Sequence, residues 1–498
     1  MGRLVRTGKV VTYEMLAMSE FVWSEPAPLE DLHLPDWLLT SAQRRRLKAF
    51  LVLATVWGLV SLMHQVAVAR WFTVGLATFM VIHINRLFRL QPAALPPPLR
   101  LYPPGTMAWD PAAAETASLP LPEVGGAQPL ALAGSPLPRV AVLIPAKNES
   151  AVLPRLLHSL TQLDYPSSHL ELWAIDDASS DATPDILQEA QKRIPHLRVY
   201  RRPPGRGGGK SGALNEVLPL TRGEIILVCD ADAIVPPDLL TRTLPLFGQT
   251  PRPGRRTIGA VQVRKALSNP NVNFWTLGQV AEMASDAYLQ QQRVAIRGIG
   301  ELRGNGQLVR RDVLEKCGGW NENSLTDDLD LTFKLHLAGV DIAFLTEPAI
   351  VEEGVTSWKS LWHQRCRWAE GGYQRYLDYW PGILSRRLGM AKTVDLWAFF
   401  ISQYLLPMAL VPDTLWVLLT GHSSVLLPLN ALVMGSVTVA FYRGLRQVEG
   451  LRGRKLWWRT ALGLVYMLHW LPVMIVTTAR MCVQPKRLRW VKTVHHGL

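Results

Sequence analysis

Ile225-Ile226-Leu227-Val228-Cys229-Asp230-Ala231-Asp232 is a short apolar run that ends on two carboxylates one residue apart. A brief run rich in aliphatic and β-branched residues, bounded by polar and Gly residues, reads as a buried strand. Three more runs have the same character: Val140–Pro145, Leu172–Ile175 and Ile258–Val263. Between them, Leu153–Leu163 and Pro184–Lys192 have the spacing of crossover helices. Continuous apolar strands alternating with helices predict an α/β domain on a mainly parallel sheet, with ligands beyond the carboxyl ends of the strands.

The acidic motifs fall at those ends. Asp230 and Asp232 are hard oxygen donors that can share Mg²⁺ or Mn²⁺, and such a cation bridges a diphosphate. A lone Asp pair at a strand end also caps helices, so this motif alone leaves both readings open. Ile175-Asp176-Asp177-Ala178-Ser179-Ser180-Asp181 follows another strand. Asp181 fits an Asx cap of the next helix, and Asp177 is the candidate for contact with a base or ribose. Gly205-Arg206-Gly207-Gly208-Gly209-Lys210-Ser211 brings backbone and a lysine together. It fits neither the P-loop nor the dinucleotide fingerprint, which leaves a loop on phosphate or a solvated turn.

Two later motifs complete the set. Leu325-Thr326-Asp327-Asp328-Leu329-Asp330 opens a segment with helical apolar spacing. Acids suit a helix N-terminus for dipole reasons, yet a carboxylate here can also serve as a general base; Asp328 is the first candidate and Asp327 the second. Gln364-Arg365-Cys366-Arg367-Trp368 offers an arginine for diphosphate and a tryptophan for stacking. Arg/Trp clusters also anchor proteins at membrane surfaces, so this too is ambiguous alone.

The ends of the chain differ in kind from its middle. Phe50–Ala69 and Trp71–Ile84 are apolar, with Arg44–Lys48 before them and Arg86 and Arg89 after. Basic residues at both ends predict a hairpin with both ends in the cytoplasm, its weak point a tight connection at Arg70. Leu396–Leu419, Val425–Tyr442 and Ala461–Thr478 are three further runs, the first expected to break at Pro407 and Pro412. Three full crossings would put the basic tail (Arg480, Lys486, Arg487, Arg489, Lys492) opposite the cytoplasm, so one run is expected to be interfacial or re-entrant. The net charge of +13 therefore reads as membrane-border charge on an integral, multi-pass protein, with no nucleic-acid partner. The four cysteines show no zinc or disulfide spacing.

Taken in order, Asp230-Ala231-Asp232, Thr326-Asp327-Asp328 and Gln364-x-x-Arg367-Trp368 resemble the family 2 glycosyltransferases of the cellulose, hyaluronan and poly-N-acetylglucosamine synthase type, over roughly Arg139–Tyr379. The resemblance implies a GT-A (Rossmann-like) domain flanked by transmembrane helices, a UDP-sugar donor, Mg²⁺ or Mn²⁺, and inversion at the anomeric carbon. On it, Asp177 and Lys210 hold the nucleotide, Asp230 and Asp232 hold the metal with Asp230 also near the nucleotide-sugar, and Asp328 is the base beside Asp327. Gln364, Arg367 and Trp368 close over diphosphate and acceptor. Asp327 stands where the family usually has Glu. His363–Pro381, Leu325–Gly339 and the small membrane complement look most like the cyanobacterial-type β-monoglucosyldiacylglycerol synthases, which implies glucose transfer from UDP-glucose to 1,2-diacylglycerol.

A processive polysaccharide synthase is the alternative. It needs a polar channel, for which His64, His83, Gln403 and His469 are the few candidates. A transporter or receptor with a sugar-binding domain is disfavoured by the complete acid set at 230, 232 and 328. The expected organisation is a cytoplasmic segment 1–48, a membrane hairpin 49–90, a Pro-rich linker 91–138, a cytoplasmic catalytic domain 139–355, interface helices 356–392, membrane segments 393–480 and a basic tail 481–498.

Overall fold

The computed structural model describes residues 45–99, 137–248, 255–483 and 497. Most of the Pro-rich linker, the segment before Arg45 and the tail residues Lys486, Arg487, Arg489 and Lys492 lie outside the described residues.

Among the described residues, seven strands form one sheet: β1 (Val140–Ala146), β2 (Leu170–Asp176), β3 (Leu197–Arg201), β4 (Ile225–Val228), β5 (Ile258–Leu267), β6 (Gln307–Arg310) and β7 (Asp341–Glu352), in the order β3-β2-β1-β4-β6-β5-β7. All neighbours run parallel except β6, which is antiparallel to both β4 and β5. The four strands read from the sequence are all present. β3, β6 and β7 are additions, because Leu197–Arg201 mixes charge with apolar residues and Gln307–Arg310 is too short to carry a period.

Helices follow in chain order. The N-terminal pair is α1 (Arg45–Gln65) and α2 (Trp71–Arg89). In the α/β part lie α3 (Leu153–Thr161), α4 (Thr183–Arg193), α5 (Gly209–Val217), α6 (Leu239–Phe247), α7 (Phe274–Ala295), α8 (Arg311–Lys316) and α9 (Asp327–Leu337). After the sheet come α10 (Trp358–Leu384), α11 (Met390–Phe400), α12 (Leu406–Thr420), α13 (Leu427–Gln447), α14 (Gly453–Met467) and α15 (Trp470–Val483).

Alternation along β1 sorts the core. Val140, Val142 and Ile144 pack with α3 and α6 residues such as Leu156 and Leu240, whereas Ala141 and Leu143 pack with Leu214 and Leu335 on the other face. A third cluster joins Val60 of α1, Tyr373 of α10, Leu396 of α11 and Val473 of α15.

Among the described residues, four helical stretches are long and apolar enough to cross a membrane: Arg45–Gln65, Ala67–Arg89, Met390–Thr420 and Gly453–Val483. The connection at Arg70 is a 3₁₀ turn, Ala67–Arg70, and the Arg70 Nε donates to the Met63 carbonyl at 3.2 Å. Contrary to expectation, Pro407 and Pro412 do not break their run. A π turn at Ile401–Leu405 precedes Pro407 and widens the helix where its ring removes an N–H, so the helix continues through Pro412. α13 is not one of the four. Its Arg443 donates to the Phe88 carbonyl and the Tyr288 hydroxyl at 3.1 and 3.0 Å, which ties it to α2 and α7.

Candidate active site

The carboxyl ends of β1, β2, β4, β5 and β7 face one edge of the sheet, and the reversed β6 brings the loop Arg303–Gly306 to the same edge. Asp230 follows β4, and its amide donates to Asn305 Oδ1 at 3.2 Å. Lys210, one residue into α5, places Nζ 2.5 Å from Asp230 Oδ1. Burial works against the Lys210 ammonium, but Asp230, Asp327 and Asp328 together raise its pKa above the ordinary lysine value.

Asp327 and Asp328 open α9, as read from the sequence. Asp328 Oδ1 accepts the Leu329 amide at 2.9 Å. Burial, and then the Asp327 charge, push the Asp328 carboxyl up to about 6, against the pull of the Leu329 amide, Lys210 and Arg303. The buried Asp327 Oδ2 accepts no hydrogen bond from the described residues. Arg367 of α10 faces Asp328, Asp230 and Asp327, while burial lowers its pKa below the usual arginine value. A methyl group on Gly371 would lie 2.3 Å from Thr326 Oγ1, so glycine there lets α10 pass against the acidic start of α9.

Trp368 is held between two cations: Arg365 4.1 Å and Lys265 5.5 Å from its ring centre. Lys265 in turn pairs with Glu352 at 3.0 Å. Gln364 is turned towards its neighbour and accepts from Arg365 Nη1 at 2.7 Å. Asp232 is buried, and its Oδ2 accepts the Glu353 amide at 3.1 Å, which fastens the end of β4 to the end of β7.

Asp177 forms the second wing of the site. Asp176 turns inward to accept the Ser179 amide at 2.9 Å. Asp177 instead meets Lys147 at 3.2 Å and Arg202 at 2.5 Å. Arg202 also donates to the Gly207 carbonyl at 2.8 Å and to Glu216 at 3.1 Å, so it joins Asp177 to the glycine loop. Gly208 has φ +80°, and a Cβ on it would lie 2.4 Å from Glu322 Oε2. Asp181 accepts the Thr183 and Ser150 amides at 3.0 and 3.1 Å. Burial opposes its charge, but those bonds hold its carboxyl down at about 2.

The structure therefore brings Lys210, Asp230, Asp327, Asp328 and Arg367 into one charge cluster, with Trp368 flanking it and Asp177 beyond the glycine loop. Lys147, Arg202, Lys265, Arg303 and Asn305 escaped the sequence reading. Only the glycines of Arg303-Gly304-Asn305-Gly306, which the structure holds at φ +80° and +74°, offer a sequence signal near these residues, and it is the signal of a turn.

Residues 138–371 match the family described as "Glycosyltransferase like family 2". A β-monoglucosyldiacylglycerol synthase from Trichormus variabilis is 46% identical over 96% of this chain and 95% of its own length. The chain is a family 2 glycosyltransferase. As a member of that family it inverts the anomeric centre it attacks. A second β-monoglucosyldiacylglycerol synthase, from Synechocystis, is 44% identical to this glycosyltransferase over 95% of this chain and 93% of its own length. The poly-β-1,6-N-acetyl-D-glucosamine synthase of Staphylococcus epidermidis is 27% identical over 50% of this chain and 59% of its own length. Among solved structures, a mannosyltransferase from Pyrobaculum calidifontis in complex with GDP-Man and Mn²⁺ aligns at 20% identity and TM-score 0.48, over 87% of this chain and 99% of that one.

Proposed function

We propose that this glycosyltransferase is a multi-pass membrane enzyme that moves glucose from UDP-glucose to 1,2-diacylglycerol, with its catalytic domain in the cytoplasm. The observation that carries the reading is the reach of the similarity. Likeness to the diacylglycerol synthases extends through the membrane helices at both ends, while likeness to the polymer synthase covers half the chain. An even number of crossings by the four apolar stretches would leave both flanks on one side, which suits basic residues at both ends.

The chemistry follows from the charge cluster. Asp328, ionised above pH of about 6, takes the proton of the glycerol hydroxyl. The freed oxygen attacks the anomeric carbon from the face opposite UDP, so an α-linked donor gives a β-glucoside in one displacement. Lys210 and Arg367 supply positive charge towards the departing diphosphate. Asp177 and Lys147 are set for the nucleoside, and Trp368 for the sugar or acceptor. The donor set at 230 and 232 fits Mg²⁺ or Mn²⁺: Asp230 already holds an ammonium, and two carboxylates with substrate phosphates are a usual Mg²⁺ complement. Such an ion, when bound, neutralises charge on the diphosphate.

The test is purified protein in detergent with labelled UDP-glucose, Mg²⁺ and diacylglycerol, read by organic extraction and chromatography. One labelled lipid running as β-monoglucosyldiacylglycerol is expected. Label found only in a water-phase or insoluble polymer would replace this reading with a polysaccharide synthase.

A further inference from the structure

The break between α14 and α15 holds a polar group that the reaction described above does not use. The apolar stretch Gly453–Val483 is interrupted at Leu468–His469. There the His469 Nδ1 lies 2.6 Å from the Tyr466 carbonyl. A carbonyl only accepts, so Nδ1 carries the hydrogen, and the neutral ring keeps its lone pair on Nε2. Nε2 is buried and has no hydrogen-bond partner among the described residues, in a residue only 7% exposed. A buried acceptor left without a donor is destabilising, which asks what donor belongs there.

The surroundings are aromatic. Tyr466, Trp470 and Trp358 stand 4.5, 5.5 and 6.4 Å from the His469 ring, ring centre to ring centre. Trp275 and Trp362 extend the group from Trp358 at 5.3 and 5.5 Å, and Trp358 itself is 40% exposed. Rings with one apolar and one polar side gather where a bilayer meets water. Leu468 at the break and Leu471 and Ile475 of α15 are exposed at i, i+3, i+7 spacing. An amphipathic molecule with apolar tails and a hydroxyl head fits such a place.

The same group is wired to the active site. Glu282 of α7 accepts from Trp470 Nε1 at 2.9 Å, from the Tyr466 hydroxyl at 3.1 Å and from Arg365. Arg365 stacks 4.1 Å from the centre of Trp368. From His469 to Trp368 there is thus an unbroken series of packed and hydrogen-bonded side chains.

We propose that this aromatic cage is the doorway through which the diacylglycerol acceptor reaches the site, with His469 Nε2 accepting a hydrogen bond from its free hydroxyl. The inference rests on the glycolipid reading above. Diacylglycerol has one hydrogen-bond donor, and Nε2 is an acceptor in want of one. The tryptophans and Arg365 are donors and cannot take that role. From the cage, the hydroxyl passes along Trp368 towards Asp328.

The experiment measures KM for dioleoylglycerol in mixed micelles and KM for UDP-glucose, on the full chain, together with Tm. His469→Phe keeps the ring and removes the acceptor. It should raise the lipid KM about tenfold, the value of one hydrogen bond, with the UDP-glucose KM within about twofold of wild type. His469→Gln returns an acceptor oxygen and should recover part of that loss, which a purely structural histidine would not show. A lipid KM within about twofold of wild type in His469→Phe, or equal rises in both KM values, overturns the proposal. If His469→Phe does not fold, Trp358→Leu at the exposed rim replaces it, with a severalfold rise in lipid KM expected and no rise counting against the cage. Wild-type protein that glucosylates some other acceptor but not diacylglycerol would defeat the glycolipid reading itself. Wild type that makes the glucolipid beside an unaffected His469→Phe defeats the doorway alone.

Discussion

Lys210 Nζ lies 2.5 Å from Asp230 Oδ1, so an ammonium occupies the carboxylate that opens the Asp-Ala-Asp motif. Neighbouring acids keep it charged despite its burial. On the proposed mechanism a divalent cation held at Asp230 would compete with Lys210 for that oxygen, and a bound diphosphate would engage both. Lys210→Met should bind Mn²⁺ more tightly than wild type without nucleotide. It should also raise the KM for UDP-glucose roughly 10- to 100-fold, the size of a lost charged contact. Mn²⁺ titration by electron paramagnetic resonance and steady-state kinetics read the two effects. Weaker Mn²⁺ binding in the variant would mean that Lys210 supports the cation rather than competing with it.

The pH profile tests the base. The Asp328 carboxyl is raised to about 6 by burial and by Asp327. A base must be ionised, so kcat/KM should rise with pH through about 6 and level off above it. Asp327→Asn removes a like charge, lowers the Asp328 pKa and should move the acid limb about one unit down in pH. Asp328→Asn should abolish turnover while UDP still binds. An acid limb that stays in place in Asp327→Asn would assign the titration to another group.

Arg202 is 1% exposed and spans Asp177, the Gly207 carbonyl and Glu216. Arg202→Met leaves two carboxylates facing each other without their shared cation, which should cost about 3 kcal/mol of stability. It should also free the glycine loop, so the UDP-glucose KM should rise more than the lipid KM. Thermal unfolding and the two KM values measure this. A stable variant with normal donor KM would show the loop holding itself.

How far the sequence revealed this site depended on the kind of residue. Asp230 and Asp328 were legible as candidates because acids at a strand end and a helix start show in a single chain, and Arg367, within α10, was legible only through the spacing Gln364-x-x-Arg367-Trp368. Arg202 and Lys265 were not. They reach the site across the sheet, from the residue after β3 and from the far end of β5, and nothing in Val199-Tyr200-Arg201-Arg202 separates the buried arginine from the exposed one. Asn305 was hidden by topology, because only the antiparallel insertion of β6 carries its loop to the edge where β4 ends. Four of the five apolar runs were readable by length and composition, whereas Val425–Tyr442, most of which lies in α13, is not among the four stretches apolar enough to cross, and the π turn that lets Pro407 sit within one of them was not legible.

Glu301 carries the last prediction. It is fully buried and meets Arg303, Arg375 and Arg293 at 2.6, 3.0 and 3.3 Å. Arg293 continues to Asp395 of α11 at 2.9 Å, so one carboxylate links the loop beneath the site to helices at its membrane side. Burial favours the neutral acid, but Arg375, Arg293 and Arg303 hold the Glu301 carboxyl well below its usual range. Its stabilisation is therefore complete above its unfolded pKa of about 4.3 and is lost as pH falls through the depressed folded value. Glu301→Gln keeps the shape and removes the charge, leaving the buried Arg293 and Arg375 and the part-buried Arg303 short of a partner. About 3–5 kcal/mol of stability should go with it. Because Arg303 borders Gly304 and Asn305, and Asn305 holds the Asp230 amide, kcat should fall even in protein that remains folded below its lowered Tm. Melting curves and initial rates at 15 °C separate the two effects. Normal kcat with a lowered Tm would confine Glu301 to joining the domain to its helices, and an unchanged Tm would mean that the arginines find compensation elsewhere.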